Sequence, residues 1–174
     1  MGDPAGIGPE ITAKSWTALR GAASNAFAVI APLGLMSKAL EDIGAPPPKA
    51  VDQLSAVKNT FENHLPFIPI DGHTPEPGSP SSKAAPIITG SIKMATSLAL
   101  EDRADAVITN PIAKDVLYSA GFSHPGHTEY LGALTQGRPA PYARGPVMML
   151  SGGGLRVALA TVHLSLKDAA ARLD

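Results

Sequence analysis

The feature that most constrains the fold is an alternation of short apolar runs with segments of helical periodicity. The apolar runs at residues 26–30, 67–70 and 105–109 are typical of buried strands. Five segments show the pattern of a helix: residues 9–19, 33–43, 87–103, 113–120 and 128–136. Strands that alternate with helices predict an α/β fold, in which helices cover a mostly parallel sheet.

Two further strands are predicted at residues 146–150 and 155–161, on either side of the sequence SGGG. So short a connection joins antiparallel strands, and parallel strands need a longer crossover. We therefore expect an antiparallel hairpin in addition to the parallel sheet. Ligands of such sheets bind beyond the carboxyl ends of strands, so residues that directly follow strands are the candidate site residues.

Composition excludes several classes of function. The chain has 174 residues, 44% of them apolar, and it has no cysteine, so disulfide frameworks and thiolate metal sites are excluded. Its formal net charge is −1, which gives no electrostatic footprint for nucleic acid or an anionic membrane. No apolar run approaches the roughly 18 residues of a membrane span. The first residues lack the basic and apolar regions of a signal peptide, so we expect a cytoplasmic protein.

The chain begins with a glycine-rich loop, GDPAGIGPE, that leads into the first predicted helix. Glycines before a helix allow backbone N–H groups to approach an anion closely. The loop is neither a P-loop nor a dinucleotide fingerprint, because no Lys-Ser or Lys-Thr follows Gly8 and Ile11 stands where a third glycine is needed. Chain reversal alone is the alternative interpretation. Asp3 is interpreted either as a cap of the loop or as a ligand contact.

His127 lies in the sequence SHPGHTE, where Thr128 is predicted as the N-cap of a helix. An imidazole at the positive end of a helix can grip a phosphate or a carboxylate. The alternative is a histidine that caps its own loop. His124 flanks this site, and His64 and His73 are interpreted as solvated loop histidines.

His163 and Lys114 each follow a predicted strand. A neutral imidazole at the position of His163 can bind a divalent metal. One histidine does not make a metal site, and a structural role for His163 is equally consistent with the sequence. Lys114 can pair with an anionic substrate or tune an acid–base step, unless it is a solvated lysine in the first turn of a helix.

Several segments occur together in a fixed order: MGDPAGIGPE at 1–10, TNPIAK at 109–114, AGFSHPGHTEYL at 120–131, VMML at 147–150 and LRVALATVHL at 155–164. Together they closely resemble the 4-hydroxythreonine-4-phosphate dehydrogenase family of pyridoxal 5′-phosphate biosynthesis. The first and third segments are long and highly specific, and the resemblance extends over essentially the whole chain.

The resemblance implies a three-layer α/β/α fold like that of the isocitrate and isopropylmalate dehydrogenases. It also implies a homodimer of two-domain subunits, with the active site in a cleft near the subunit interface. Such enzymes oxidise 4-(phosphooxy)-L-threonine with NAD or NADP, and the product loses CO2 to give 3-amino-2-oxopropyl phosphate. A divalent metal (Zn, Mg or Co), held by three histidines from both subunits, binds the substrate.

Residue by residue, the resemblance assigns substrate contacts to His127 and Thr128 and a metal ligand to His163. Lys114 is carried over as a catalytic candidate. The loop residues are carried over as site-lining only: Asp3, Gly6 and Gly8.

The chain departs from this family in length, because family members are about twice as long. The other two metal histidines and most of the cofactor site belong to the half that is absent here. We therefore interpret residues 1–174 as the N-terminal portion of a two-domain protein. We expect that these residues alone do not catalyse the reaction. Two alternatives remain: a related dehydrogenase of a four-carbon sugar-acid phosphate or an aromatic cis-dihydrodiol, and a non-catalytic phosphate-binding or dimerisation module.

Overall fold

The fold is described from a computed structural model, which defines residues 1–139 and 145–173. The chain divides into two compact units, Met1–Thr135 and Gln136–Asp174. Among the described residues, no helix combines the length and hydropathy that are needed to cross a membrane.

The first unit is built on a sheet of three parallel strands in the order β1-β3-β2. These strands are β1 (Val29–Ala31), β2 (Lys49–Ala50) and β3 (Pro66–Pro69). The parallel sheet and the apolar strands β1 and β3 were predicted, and both predictions are confirmed within a few residues. The two-residue β2 was not predicted, because both of its residues are exposed and carry no apolar pattern.

The first unit contains six α-helices: α1 (Gly8–Leu19), α2 (Leu33–Glu41), α3 (Val57–Phe61), α4 (Ala85–Leu100), α5 (Lys114–Ser119) and α6 (His127–Thr135). Five of them were predicted, with ends that differ from the prediction by at most three residues. Pro9 and Pro86 stand in the first turns of α1 and α4, where a missing N–H costs nothing. The mixed α/β class with a mostly parallel sheet is therefore confirmed.

Two apolar clusters form the core of this unit. The first joins α1, α2 and α3 to the sheet around Trp16, which is fully buried and donates a 2.7 Å hydrogen bond from Nε1 to the carbonyl oxygen of Phe61. The second cluster joins α4 to Leu117 of α5, and residues of α6 pack against it. Because α4 also contacts β1, it connects α6, which packs against it, to the sheet.

The strand predicted at residues 105–109 is absent, and this prediction is wrong. Residues 106–113 have no regular secondary structure in the described chain, and the side chain of Ile108 is 84% exposed. The run Val107-Ile108-Thr109 has the β-branched composition of a strand, but a strand also needs a hydrogen-bonded neighbour. No described strand pairs with it.

The second unit contains the predicted antiparallel hairpin, formed by β4 (Met149–Gly152) and β5 (Leu155–Ala158). Gly153 and Gly154 connect the strands with φ values of 56° and 81°, as a two-residue turn of the I′ kind requires. Within the described residues the hairpin forms its own two-stranded sheet, and β5 ends three residues earlier than predicted. A short helix, α7 (Leu166–Arg172), follows and is capped by Ser165, whose Oγ accepts from the N–H of Asp168.

Candidate substrate-binding site

The glycine-rich loop is folded back on itself around Asp3. The carboxylate of Asp3 is 4% exposed and accepts a 2.9 Å hydrogen bond from the N–H of Ala5, and its carbonyl accepts from the N–H of Gly6. This geometry is that of a loop cap, the first of the two interpretations of Asp3. Gly6 is exposed and Gly8 begins α1. The assignment of this loop to the lining of a site stays a prediction.

The loop lies in close contact with the segment that precedes Lys114. Gly2 has a φ of +120°, and a Cβ on it would stand 2.6 Å from the carbonyl oxygen of Pro111 and 2.7 Å from Cβ of Asn110. The N–H of Asp3 donates a 2.9 Å hydrogen bond to the same carbonyl oxygen. No residue other than glycine fits at position 2, because both the backbone angle and the space exclude a side chain.

Lys114 is the first residue of α5, and its ammonium group points towards the residue before His127. The Nζ atom lies 3.4 Å from the position that a Cβ would take on Gly126. Lys114 was predicted to follow a strand, which is wrong, because the strand is absent. Its predicted position in the first turn of a helix is confirmed.

His127 begins α6, one residue earlier than predicted. The carbonyl oxygen of Gly126 accepts the N–H of Tyr130, so Gly126 is the N-cap residue and Thr128 stands in the first turn. The prediction of Thr128 as N-cap is therefore wrong. Threonine and glycine have similar preferences for the N-cap position, so the local sequence does not distinguish position 128 from position 126.

The imidazole of His127 carries an unsatisfied hydrogen-bonding atom. Its Nε2 is buried and has no hydrogen-bond partner among the described residues. A buried polar atom without a partner is costly unless a ligand or water satisfies it. His127 therefore meets the requirement for a ligand-binding side chain, and Thr128 lies half-buried beside it.

The surroundings of His127 favour the neutral imidazole. Burial lowers the pKa of His127 below its ordinary value of 6.5, and the positive charge of Lys114 lowers it further. A neutral imidazole accepts a hydrogen bond at one nitrogen and donates at the other, so it can bind a hydroxyl or protonated phosphate oxygen as well as an anion.

The link between Lys114 and His127 leads to a titration prediction. In Lys114→Met, we expect the pKa of His127 to rise, since a charge that opposes protonation is removed, but to stay below 6.5 because burial remains. NMR of the imidazole signals over about pH 5 to 8 measures this, with His127→Gln to assign the resonance. Lys58→Met, at an exposed position of α3, is the control and should leave the pKa unchanged. An unchanged pKa in Lys114→Met would contradict the placement of this ammonium.

His163 lies in the second unit, five residues after the end of β5, and its side chain is exposed. Its backbone is in the left-handed region, with φ of 56°, which is uncommon for a residue with a Cβ and is found often at functional positions. Among the described residues, no group of three or more His, Cys, Asp or Glu side chains stands close enough to hold a metal. His163 thus offers one imidazole ligand, and its role in metal binding stays a prediction.

The remaining histidines have separate environments. His73 is exposed, as predicted, whereas His64 is half-buried and its Nδ1 lies 2.9 Å from the carbonyl oxygen of Pro47. His124 packs between Phe122 and Tyr130, with ring centroids 5.3 and 5.1 Å away. These three rings line an open cavity of about 430 Å³ beside the start of α4. The sequence offered no signal for this cluster, since its members come together only in the folded chain.

Comparison with known proteins identifies the family. The family model described as "Pyridoxal phosphate biosynthetic protein PdxA" matches residues 23–174. The chain belongs to the PdxA family. It is 42% identical over 173 residues to a 4-hydroxythreonine-4-phosphate dehydrogenase of Caulobacter vibrioides, covering 99% of this chain and 51% of that protein. A protein of the same name from Xanthobacter autotrophicus is 39% identical over 171 residues, which is 97% of this chain and 48% of that protein.

Solved structures of PdxA proteins share the fold. The 4-hydroxythreonine-4-phosphate dehydrogenase of Burkholderia phymatum superposes with a TM-score of 0.81 at 29% identity, over 99% of this chain and 51% of that one. The enzyme of Klebsiella pneumoniae superposes with a TM-score of 0.76 at 30% identity, over 100% of this chain and 53% of that one. The predicted dehydrogenase-like fold is thus confirmed, and the chain spans about half the length of the PdxA relatives that it matches.

Proposed function

We propose that the protein containing this chain oxidises 4-(phosphooxy)-L-threonine with NAD or NADP, and that the product loses CO2 to give 3-amino-2-oxopropyl phosphate. The relatives named 4-hydroxythreonine-4-phosphate dehydrogenase support this reaction. The single structural observation that supports it is the buried Nε2 of His127, without a partner among the described residues, next to the ammonium group of Lys114. The proposal includes a cytoplasmic homodimer, as the resemblance to the family implies.

His127, Thr128 and Lys114 would bind the anionic groups of this substrate. The first N–H groups of a helix such as α6 lack intrahelical partners and carry partial positive charge, which favours a phosphate or carboxylate. Lys114 adds a full positive charge above Gly126. The Nε2 atom of His127 supplies a directional hydrogen bond that fixes the orientation of the substrate.

His163 would contribute one ligand to a divalent metal. An exposed imidazole suits zinc, cobalt and related ions, and catalytic sites usually have three protein ligands. The other ligands would have to come from outside the described residues of this chain, since these contain no such cluster. When bound, a divalent metal stabilises negative charge that develops on a substrate oxygen.

The test is cofactor reduction by the product of the complete open reading frame. The protein is incubated with 4-(phosphooxy)-L-threonine and NAD or NADP, with and without a chelator, and the reduced cofactor is followed by absorbance. We expect turnover that the chelator abolishes, and no turnover by residues 1–174 alone. Faster turnover of a four-carbon sugar-acid phosphate or a cis-dihydrodiol would replace the proposed substrate. Absence of turnover with all three would favour a non-catalytic phosphate-binding module.

His127→Ala is expected to weaken substrate binding in the complete protein. Loss of one hydrogen bond to a charged group costs about 1.5–3 kcal/mol, which corresponds to a rise in KM of about 10- to 100-fold. Steady-state kinetics with 4-(phosphooxy)-L-threonine measures this rise. His73→Ala removes an exposed histidine of the same unit and should leave KM unchanged. Equal KM values for both variants would refute the assignment of His127.

A further inference from the structure

We propose that Asn110 is a positioning residue, which holds Lys114 beside His127 by connecting its segment to the glycine-rich loop. The inference rests on the proposed function only in that Lys114 and His127 are there assigned to substrate binding. The connection itself is a property of the folded chain and can be tested without substrate.

The side chain of Asn110 makes a closed set of hydrogen bonds with α1. Its Nδ2 donates to Oγ1 of Thr12 at 2.8 Å and to the carbonyl oxygen of Gly8 at 3.3 Å. The hydroxyl of Thr12 in turn donates to the carbonyl oxygen of Gly8 at 2.8 Å. Thr12 is buried and Asn110 is half-buried, so these bonds are largely protected from competing water.

The backbone adds a second connection at the next residue. The carbonyl oxygen of Pro111 accepts from the N–H of Asp3, and Gly2 and Gly8 both lie against Asn110. A Cβ on Gly8 would stand 3.2 Å from Cβ of Asn110. Two consecutive residues, four and three positions before Lys114, are thus held to the glycine-rich loop and the first turn of α1.

The segment needs such connections because it has no secondary structure of its own. Residues 106–113 form neither helix nor strand, so no ladder of backbone hydrogen bonds fixes their path. The helix that follows, α5, has six residues, too few to be stable by itself. The position of the Lys114 ammonium above Gly126 therefore depends on two anchors: Leu117 of α5 in the second apolar cluster, and the contacts of Asn110 and Pro111 with the loop.

The loop thus acts on the candidate site from a distance. Asp3 makes its side-chain hydrogen bond within the loop. Asn110 is hydrogen-bonded to the first turn of α1, which follows the loop, and this bond fixes the segment that leads to Lys114. A change at Asn110 or Thr12 is expected to shift the ammonium away from His127, although neither residue is assigned to substrate binding.

The experiment measures the pKa of His127 by NMR in Asn110→Ala, Thr12→Val and Thr12→Ser. We expect the pKa to rise in Asn110→Ala and in Thr12→Val, which loses the hydroxyl but keeps the shape. Thr12→Ser retains the hydroxyl and should restore the native value. The rise should not exceed that in Lys114→Met. Loss of global stability without movement of Lys114 would leave the pKa of the folded protein unchanged, so the titration separates positioning from a merely structural role.

Kinetics of the complete protein supply a second measurement. Thr12→Val should raise KM for the phosphorylated substrate about tenfold and leave kcat within about twofold, because the contact affected is one of binding. Native pKa values of His127 in both Asn110→Ala and Thr12→Val would overturn the inference. A native KM together with a native pKa of His127 in Thr12→Val would also overturn the inference. Absence of turnover in the unmodified protein would refute the proposed function but leave the titration result standing.

Discussion

Trp16→Ala is expected to destabilise the first unit by about 3–5 kcal/mol, a large share of the 5–15 kcal/mol that is typical of a domain. The side chain is fully buried at the junction of α1, α2, α3 and the sheet, so its removal leaves a cavity that several elements border. Its Nε1 bond to Phe61 is also lost, which leaves a buried carbonyl oxygen without this donor. Urea unfolding followed by far-UV circular dichroism measures the change.

Two further variants make this measurement specific. Trp16→Phe keeps most of the apolar volume but loses the hydrogen bond, and we expect an intermediate loss. Lys14→Ala changes an exposed residue of the same helix and should stay within about 0.5 kcal/mol of the native protein. Trp16 is the only tryptophan of the chain, so tryptophan fluorescence cannot follow unfolding of the two Trp16 variants. Coincident transitions of Trp16→Ala and Lys14→Ala would contradict the packing described for this core.

His163→Ala in the complete protein is expected to reduce both metal content and activity. A metal ion stabilises the charge of a transition state by several kcal/mol, and each 1.4 kcal/mol corresponds to a tenfold change in rate. We therefore expect at least about a hundredfold loss of metal-dependent turnover. Metal analysis of the purified protein and a binding titration with zinc give a readout that is independent of turnover.

The matched control is again His73→Ala, which removes another exposed imidazole. It should bind metal as the native protein does and retain its turnover. If His163→Ala binds zinc with native affinity, His163 is not a ligand, and its left-handed backbone needs a different explanation.

Local patterns were sufficient to predict most helices and the hairpin. Apolar residues at helical spacing located α2 and α4, and the glycines at 153 and 154 located the turn of the hairpin. These signals are contained within short windows of sequence, so they do not depend on distant contacts. The strand at residues 105–109 was wrongly predicted because a strand depends on a distant contact. It needs a neighbouring strand to pair with, and the strand propensity of a short segment does not provide one.

The contacts of the candidate site were only partly predictable. His127 was identified from its position near a helix start and Lys114 from its position after a predicted strand that proved absent, and nothing local indicates that a lysine lies above Gly126. The bond from Asn110 to Gly8 joins residues 102 positions apart. An asparagine before a proline is common at the end of a strand or in a turn. The hydrogen bonds of Asn110 to α1 therefore become visible only in the folded chain.

The loop geometry has a consequence for how this part of the protein can diversify during evolution. Position 2 admits no side chain, and positions 3 and 12 carry buried hydrogen-bonding groups, so accepted substitutions there should be few. Ile7, Glu10 and Ile11 of the same segment are exposed and are free of these constraints. Lineages that acquire a new substrate preference should therefore accumulate their changes at the exposed positions, on a backbone path that selection leaves almost unchanged.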